Sequence, residues 1–569
     1  MRITDGIRTR FQKFIVLPKI ERERIETNER VMRRLMMLDH QVTVHVITRP
    51  RKGTWSKKKL RERRANREID SQGMTESMIE DFDQLGEEFT EGLEDFTETE
   101  VITRVQGNTI EAVNRAADAV IDVWTQDENF RAAVAVGTVF NEWRRRFPGA
   151  GYPIREMNLA RGSIADWSPL EGTPTGLRKC WWGPHALRVV RTINGAAYHL
   201  GVHKHADREA LGNLGLVGVP GSGKTVAASW LITGALSYFP DMRVICFDNL
   251  HGLSVPTRAF GGVVVTPGEA RFAPLQMEDT PHNRKFLIRL LGEMAEVHER
   301  QDIEDIENGL EQIMNLEPEF RTLNRFLEHG AYDNSNVAAG LRSWVGDGAY
   351  GGWMDGDRDS LDLTASYWIT FDMTLLLANP KVLAVYMAYV MHRIQDQMWL
   401  SGSQSHIIFM DEAPTMFAAS PLMMETGTYL ARNIRKKKGA VWFAFQDPEG
   451  MGEAGNVIVD ACATLAFWRN PSVDKEVYKR AFKLSDSDLR FIADEDETIS
   501  HLRRAALFVR DTNTRRESTP VNLHLGGLGK LMALFRSGED AVDIANQCIR
   551  DFGEKRWVRS YIEQVSSER

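Results

Sequence analysis

The chain has 569 residues, 43% of them apolar and 26% charged, with a net charge of −8. That is the balance of an ordinary globular protein of roughly three or four domains; it excludes a uniformly basic nucleic-acid binder but leaves room for a local basic patch or channel. Four scattered cysteines with no C-x-x-C pair exclude a disulfide framework or a cysteine-built zinc site and fit a reducing cytoplasm.

The first forty residues are too charged for a signal peptide, and no window of about eighteen apolar residues predicts a membrane span. Residues 1–38 read as charged and helical toward their end, with Val31, Leu35 and Met36 on an apolar face. Val42, Val44 and Val46 alternate as in a half-buried strand. A basic run from Arg49 through Lys57, Lys58 and Lys59 to Arg63 and Arg64 precedes an acidic run from Glu76 to Glu100. Such blocks suggest a two-limbed helical arm whose halves attract. A strand is expected over 100–105, and a helix over 109–124 with Ile110, Val113, Ala117, Val120 and Trp124 at helical spacing. A strand over 132–139 and a short helix over 141–146 follow. Residues 1–150 therefore read as a small α+β docking domain, and the Pro- and Gly-rich 151–197 as a linker. His199, His203 and His205 share strand parity; zinc is the sharp reading and an ordinary strand face the plain one.

Gly218-Val219-Pro220-Gly221-Ser222-Gly223-Lys224-Thr225 fits G-x-x-x-x-G-K-[ST], the phosphate-binding loop. Glycines let backbone N–H groups turn toward the phosphates of ATP, Lys224 adds a point charge, and the Thr225 hydroxyl suits Mg²⁺. Leu214, Leu216 and Val217 precede the loop as a strand, and 226–236 follow it as a helix whose N-terminus faces the phosphates. The similar Gly526-Gly527-Leu528-Gly529-Lys530 has His524 in place of the first glycine and Leu531 in place of the hydroxyl. Strands over 243–248, 262–266 and 367–372, with a helix over 381–399, indicate a parallel sheet. Residues 280–345 interrupt it as a helical insertion, with Phe286, Leu290, Met294 and Val297 on one face. After the insertion, 346–356 reads as a mobile glycine-rich loop, with Trp344, Tyr350 and Trp353 around it as aromatics for a substrate in the sharper reading.

Ile407 to Met410 form an apolar strand ending in Asp411 and Glu412. At the carboxyl end of a buried strand, Asp411 lies beside the phosphates and suits Mg²⁺, while Glu412 is placed to polarise the attacking water. Residues 441–445 form a strand ending in Gln446, an amide suited to sensing the γ-phosphate. Arg432, Arg435 and Lys436 to Lys438 precede it. Arg435 is either a helix-end charge or a finger reaching a neighbouring subunit's nucleotide.

From about residue 150 onward these segments, in order, resemble the VirB4 (TraC/TrbE/CagE) ATPases of type IV secretion and conjugation systems. The resemblance rests on GVPGSGKT at 218–225, FDNLHG at 247–252, FAPLQ at 272–276, ITFDMTLLLANP at 369–380, IIFMDEAP at 407–414, FQDP at 445–448 and WRNPSVDKEVYKRAF at 468–482. It implies an α/β, RecA-like P-loop core in two parts, 198–279 and 361–535, with an all-α insertion over 280–360 and a C-terminal helical segment over 536–569. It further implies an ATP- and Mg²⁺-dependent homo-oligomer, often a hexamer. Such a motor docks through inner-membrane channel components on the cytoplasmic face of the membrane and powers channel assembly or transfer of DNA or protein. By motif, Lys224 and Thr225 bind phosphate and Mg²⁺, Asp411 and Glu412 form the Walker-B pair, Gln446 is the sensor and Arg435 the finger. The N-terminal part is shorter than the family's usual pattern, so Met1 is expected to fall inside a longer one, and Phe445 stands where the family often has Thr. The competing readings are a related DNA pump (a coupling protein or a HerA/FtsK-like translocase) and a nucleotide-binding scaffold.

Overall fold

The computed structural model describes residues 1–4, 9–17, 31–32, 34–35, 38, 40–51, 95–126, 131–161, 164, 167, 174–193, 195–266, 271–330, 335–400, 404–446, 452–495, 504–512 and 516–567. The chain divides into two compact units: Met1–Thr173 with Ile193–Ala196, and Pro174–Thr192 with Ala197–Arg569.

The first unit is an antiparallel sheet with a helix on one face. Strands β1 (Arg2–Thr4), β2 (Thr9–Val16), β3 (Gln41–Pro50) and β4 (Phe96–Gly107) lie in the order β1-β2-β4-β3; β5 (Ala133–Val134) pairs with β2 and β6 (Met157–Ala160) with β4. β2 covers one edge of β4 only from Ile102 onward, and β6 takes the remaining Phe96–Thr99 of that edge. Thus β4 is paired with β3 from Thr97 to Gln106 on one edge and, but for Glu100 and Val101, with β2 and β6 on the other. The helix Ile110–Gln126 buries Val113, Ala117, Val120 and Trp124, and the Trp124 indole N–H donates to Thr103 Oγ1 at 3.2 Å. Ile110, expected on the same face, is 53% exposed; it is the first helical residue, where the buried stripe has run out.

Several expectations for this region need correction. A charged, helical start over 1–38 overlooks β1 and β2, because Arg10 and Lys13 mask a strand that ends in the consecutive buried residues Phe14, Ile15 and Val16. Val31 and Leu35 are helical and buried as expected, whereas Met36 and the arm over 52–94 lie outside the described residues. Glu100 is not part of a solvated acidic face. It is 1% exposed, accepts from Arg145 Nε at 2.9 Å, and accepts the backbone N–H groups of Ile154 and Arg155 at 3.2 Å. The strand over 132–139 shrinks to β5 because the next helix, Val139–Arg145, starts early. Residues 151–197 do not run as a plain linker. They supply β6 and the buried Trp167, whose ring meets Trp124 edge-on at 5.9 Å, and then β7 (Arg188–Thr192) of the second unit. Proline and glycine there mark turns between short ordered pieces.

Among the described residues, the second unit is built on an eleven-stranded sheet. After β7 its strands are β8 (Ala197–Leu200), β9 (Leu214–Val217), β10 (Met242–Asp248), β11 (Val263–Val265), β12 (Trp368–Asp372), β13 (Ser405–Met410), β14 (Gly439–Phe445), β15 (Thr464–Trp468), β16 (Ala505–Asp511) and β17 (Arg516–Asn522). The order is β11-β12-β10-β13-β14-β9-β15-β16-β17-β7-β8. Pairing is parallel from β11 to β15 and antiparallel from β15 to β8. This is the α/β, RecA-like core expected from the sequence. Its central strands are buried on both faces, which is why they read as continuous apolar runs rather than alternating ones.

The helix Lys224–Tyr238 follows β9 directly. The helix Pro380–Leu400 buries every residue from Val382 to Met391. At about 1.5–3 kcal/mol for each large apolar side chain buried, packing rather than propensity holds such a helix in place. The insertion contains the helices Pro281–Ala295, Arg300–Met314 and Asn336–Leu341, and Phe286, Leu290, Met294 and Val297 form its buried face. Trp344 is no substrate contact: it is fully buried and its indole N–H donates to Met294 O at 2.8 Å. The following loop folds on itself, Asp355 accepting the N–H groups of Gly346 at 3.0 Å and Gly352 at 2.8 Å. The C-terminal helices Glu539–Phe552 and Trp557–Ser567 bury Ala545, Cys548, Trp557 and Tyr561 against Val255 and Leu534. Cys180, Cys246, Cys462 and Cys548 are all buried free thiols. No helix among the described residues is long and apolar enough to cross a membrane.

Candidate functional site

The carboxyl ends of the parallel strands converge on one edge of the sheet. β9 delivers the phosphate loop there, β13 delivers Asp411 and Glu412, and β14, lying between them, delivers Gln446. Gly221 and Gly223 have φ of +72° and +101°, a region where a Cβ is strained. A Cβ on Gly218 would meet Ser222 Oγ at 2.8 Å and Trp468 Cβ at 2.9 Å, so that glycine is required by close approach. The loop thus keeps the tight turn that a phosphate cradle needs, and the buried Ser222 Oγ has no partner among the described residues.

Lys224 is buried, and its ammonium donates to the loop carbonyls of Gly218 at 2.5 Å and Val219 at 3.3 Å. Burial pulls its pKa down, while the carboxylates of Asp411 and Glu412 act to hold the charge. Thr225 Oγ1 donates to Asp411 Oδ2 at 3.3 Å. A hydroxyl and a carboxylate so placed are oxygen donors of the kind Mg²⁺ prefers, and the residues fit that ion. Glu412 adopts a left-handed backbone (φ 58°, ψ 42°), and its Oε1 accepts from Gln446 Nε2 at 2.7 Å. A non-glycine residue held in that region carries local strain of the kind that clusters at functional sites.

Asp411 responds to its surroundings. Burial pushes its carboxyl up from the usual 3.8 to about 6, the charge of Glu412 adds to this, and Lys224 and the Thr225 hydroxyl oppose it. The sign follows by linkage. Between those two values the native state binds more protons than the unfolded chain, so in that window stability falls as pH rises. A cation beside the ionised carboxylate offsets the loss. Mg²⁺ with ADP is therefore expected to raise the melting temperature more at about pH 7.5 than at about pH 5.5. Equal shifts measured by scanning fluorimetry at both pH values would remove Asp411 from the ion site.

Sequence reasoning gave no role to several residues at this edge. Asp248 ends β10, is fully buried, and accepts from the N–H of Leu253 at 2.8 Å. Burial, with the nearby charges of Asp411 and Asp372, pushes its carboxyl well up. His251 Nδ1 lies 3.3 Å from Asp372 Oδ2 at the end of β12. Trp468, at the end of β15, walls the phosphate loop. The strand-ending acids of β10 and β12 were visible as a pattern, but their convergence depends on the sheet order.

Arg435 is not in this group. It lies exposed in the short helical turn Ile434–Lys437 that precedes β14, whereas Gln446 follows it. Seven residues of strand, at ~3.3 Å each, separate the two by roughly 20 Å. The histidines also part company. His203 is buried, burial pulls its pKa down to about 3, and its ring meets Trp182 edge-on at 4.5 Å. His205 instead faces Asp207 at 3.5 Å. Among the described residues, the one metal-sized trio of such ligands is elsewhere, His282, His392 and Asp396, where His392 Nε2 already bonds Asn283 Oδ1 at 2.9 Å.

No family model matches the chain. Among curated proteins it is similar to the type IV secretion system protein VirB4 of Bartonella quintana, 28% identical over 426 residues that cover 72% of this chain and 52% of that protein. It is similar to VirB4 of Brucella suis, 26% identical over 404 residues covering 66% and 47%, and to VirB4 of Agrobacterium fabrum, 28% identical over 371 residues covering 62% and 44%. These matches make the chain similar to VirB4 proteins over roughly two thirds of its length. It spans about half the length of the VirB4 relatives it matches. Among solved structures it is similar to VirB4 of Thermoanaerobacter pseudethanolicus, with a TM-score of 0.48 and 17% identity, covering 59% of this chain and 96% of that one. The bacterial conjugative coupling protein TrwB gives a TM-score of 0.40 and 11% identity, covering 56% and 88%.

Proposed function

We propose that this VirB4 relative is an ATP-hydrolysing motor of a type IV secretion or conjugation machine. One observation carries the reading. Lys224, the Thr225–Asp411 contact at 3.3 Å and the Glu412–Gln446 contact at 2.7 Å lie together where β9, β13 and β14 end. The loop 218–225 and the N-terminus of the helix Lys224–Tyr238 bind the phosphates of ATP, and Lys224 exchanges loop carbonyls for phosphate oxygens. Thr225 and Asp411 hold Mg²⁺, which when bound neutralises charge on the phosphates. Glu412 takes a proton from the water that attacks the γ-phosphorus, Gln446 orients the pair, and the bond from that phosphorus to ADP breaks.

The motor works as a homo-oligomer, a hexamer in this reading, on the cytoplasmic face of the membrane, held there by inner-membrane channel components. Its work drives assembly of the channel or transfer of DNA or protein through it. Residues 1–150 serve as the docking domain. Magnesium-dependent phosphate release from ATP by the purified chain tests the reading. The wild type should turn over and Lys224→Ala should fall to background. Equal rates for the two proteins would place the activity outside this loop.

A further inference from the structure

A second cation stands at the phosphate loop, and the topology explains its position. β15 runs parallel to β9, so Phe467 is level with Val217 at the mouth of the loop. β16 returns antiparallel and pairs Ala506 with Trp468. Arg504, two residues earlier, therefore projects past the end of the sheet on the phosphate side. Its carbonyl is held by the N–H of Leu523 at 2.9 Å, so the backbone is anchored where the side chain departs. A Cβ placed on Gly223 would stand 3.7 Å from Arg504 Nη1 and 4.0 Å from Trp468 Nε1.

Positive charge gathers at this position. The guanidinium faces the positive end of the helix Lys224–Tyr238 and shares the loop with Lys224. Arg504 is exposed. Two cations and a helix N-terminus directed at one loop suit a polyanion lying between them. We infer that Arg504 contacts the phosphate chain of a nucleotide bound in its own chain's loop, so that the polyphosphate is gripped between a lysine point charge and a planar guanidinium fork. The inference rests on the ATP site proposed above. It makes Arg504 the arginine of the resident subunit, separate from any contribution by Arg435.

The test is equilibrium binding of mant-ATP to the full chain, with wild type, Arg504→Ala, Arg504→Lys and Lys224→Ala compared. Loss of a charge-assisted contact should weaken binding by Arg504→Ala roughly 10- to 100-fold, with part of it restored in Arg504→Lys. The affinity of Arg504→Ala should also fall less steeply with added salt, which a merely structural role would not cause. If Lys224→Ala loses binding while Arg504→Ala keeps both the wild-type affinity and the wild-type salt slope, the contact is refuted and the site stands. If the wild type itself fails to bind mant-ATP, the site reading falls and this inference with it. Melting curves verify that the exposed substitution leaves the fold intact.

Discussion

Glu412→Gln is expected to bind Mg²⁺-ATP like the wild type and to turn it over roughly 10²- to 10⁴-fold more slowly, the range attributed to general base catalysis. The substitution is well suited to this site. The amide keeps an oxygen that can accept from Gln446 Nε2, as Glu412 Oε1 does at 2.7 Å, and it meets the same left-handed backbone. What it loses is the ability to take a proton. Lys224, Thr225 and Asp411 are untouched, so the loss should fall on kcat and on the single-turnover rate, not on nucleotide affinity. Rapid-quench measurement of one turnover, beside mant-ATP binding, separates the two. A Gln variant with wild-type turnover would strip Glu412 of its role as base.

Arg435→Ala is expected to leave nucleotide affinity nearly unchanged and to lower turnover by roughly 10³- to 10⁵-fold, the effect of an arginine finger. The argument is one of distance. Arg435 and Gln446 lie at opposite ends of the seven-residue β14, so Arg435 cannot reach the nucleotide of its own chain. In a ring, however, the edge remote from one subunit's loop is available to its neighbour. Mixing Arg435→Ala with Glu412→Gln subunits, each inactive alone, should restore part of the activity, because some interfaces then combine an intact Arg435 with an intact Glu412. If native mass spectrometry finds mixed oligomers and no activity returns, Arg435 is a helix-end charge and nothing more.

The central sheet was largely legible because buried parallel strands announce themselves as apolar runs, and because β10, β12 and β13 each lead to an acid. Its edges were not. β1 and β2 carry Arg2, Arg10 and Lys13 and were lost among the charged residues around them, and β6 hides between turns. At the site, Lys224, Thr225, Asp411, Glu412 and Gln446 could be named from local spacing, since they lie in short motifs that follow the ends of three strands, β9, β13 and β14. Trp468 and Arg504 could not, because their approach to Gly223 depends on which strand lies beside β9 and which way the next one runs. Glu100 teaches the same lesson in the first unit: an acid within an acidic run is structural once Arg145 faces it.

The four buried thiols have a further use. All of them, Cys180, Cys246, Cys462 and Cys548, belong to the second unit, and the first contains none. A maleimide added to the native protein meets no accessible sulfur, and it can react only when that unit opens. Alkylation rate is thus a clock that runs on breathing of the second unit and is silent toward the other. Cys462 adjoins β15 while Cys548 lies in the C-terminal helix pair, so mapping which thiol is modified first would separate loosening of the sheet from fraying of the helices that cover Val255.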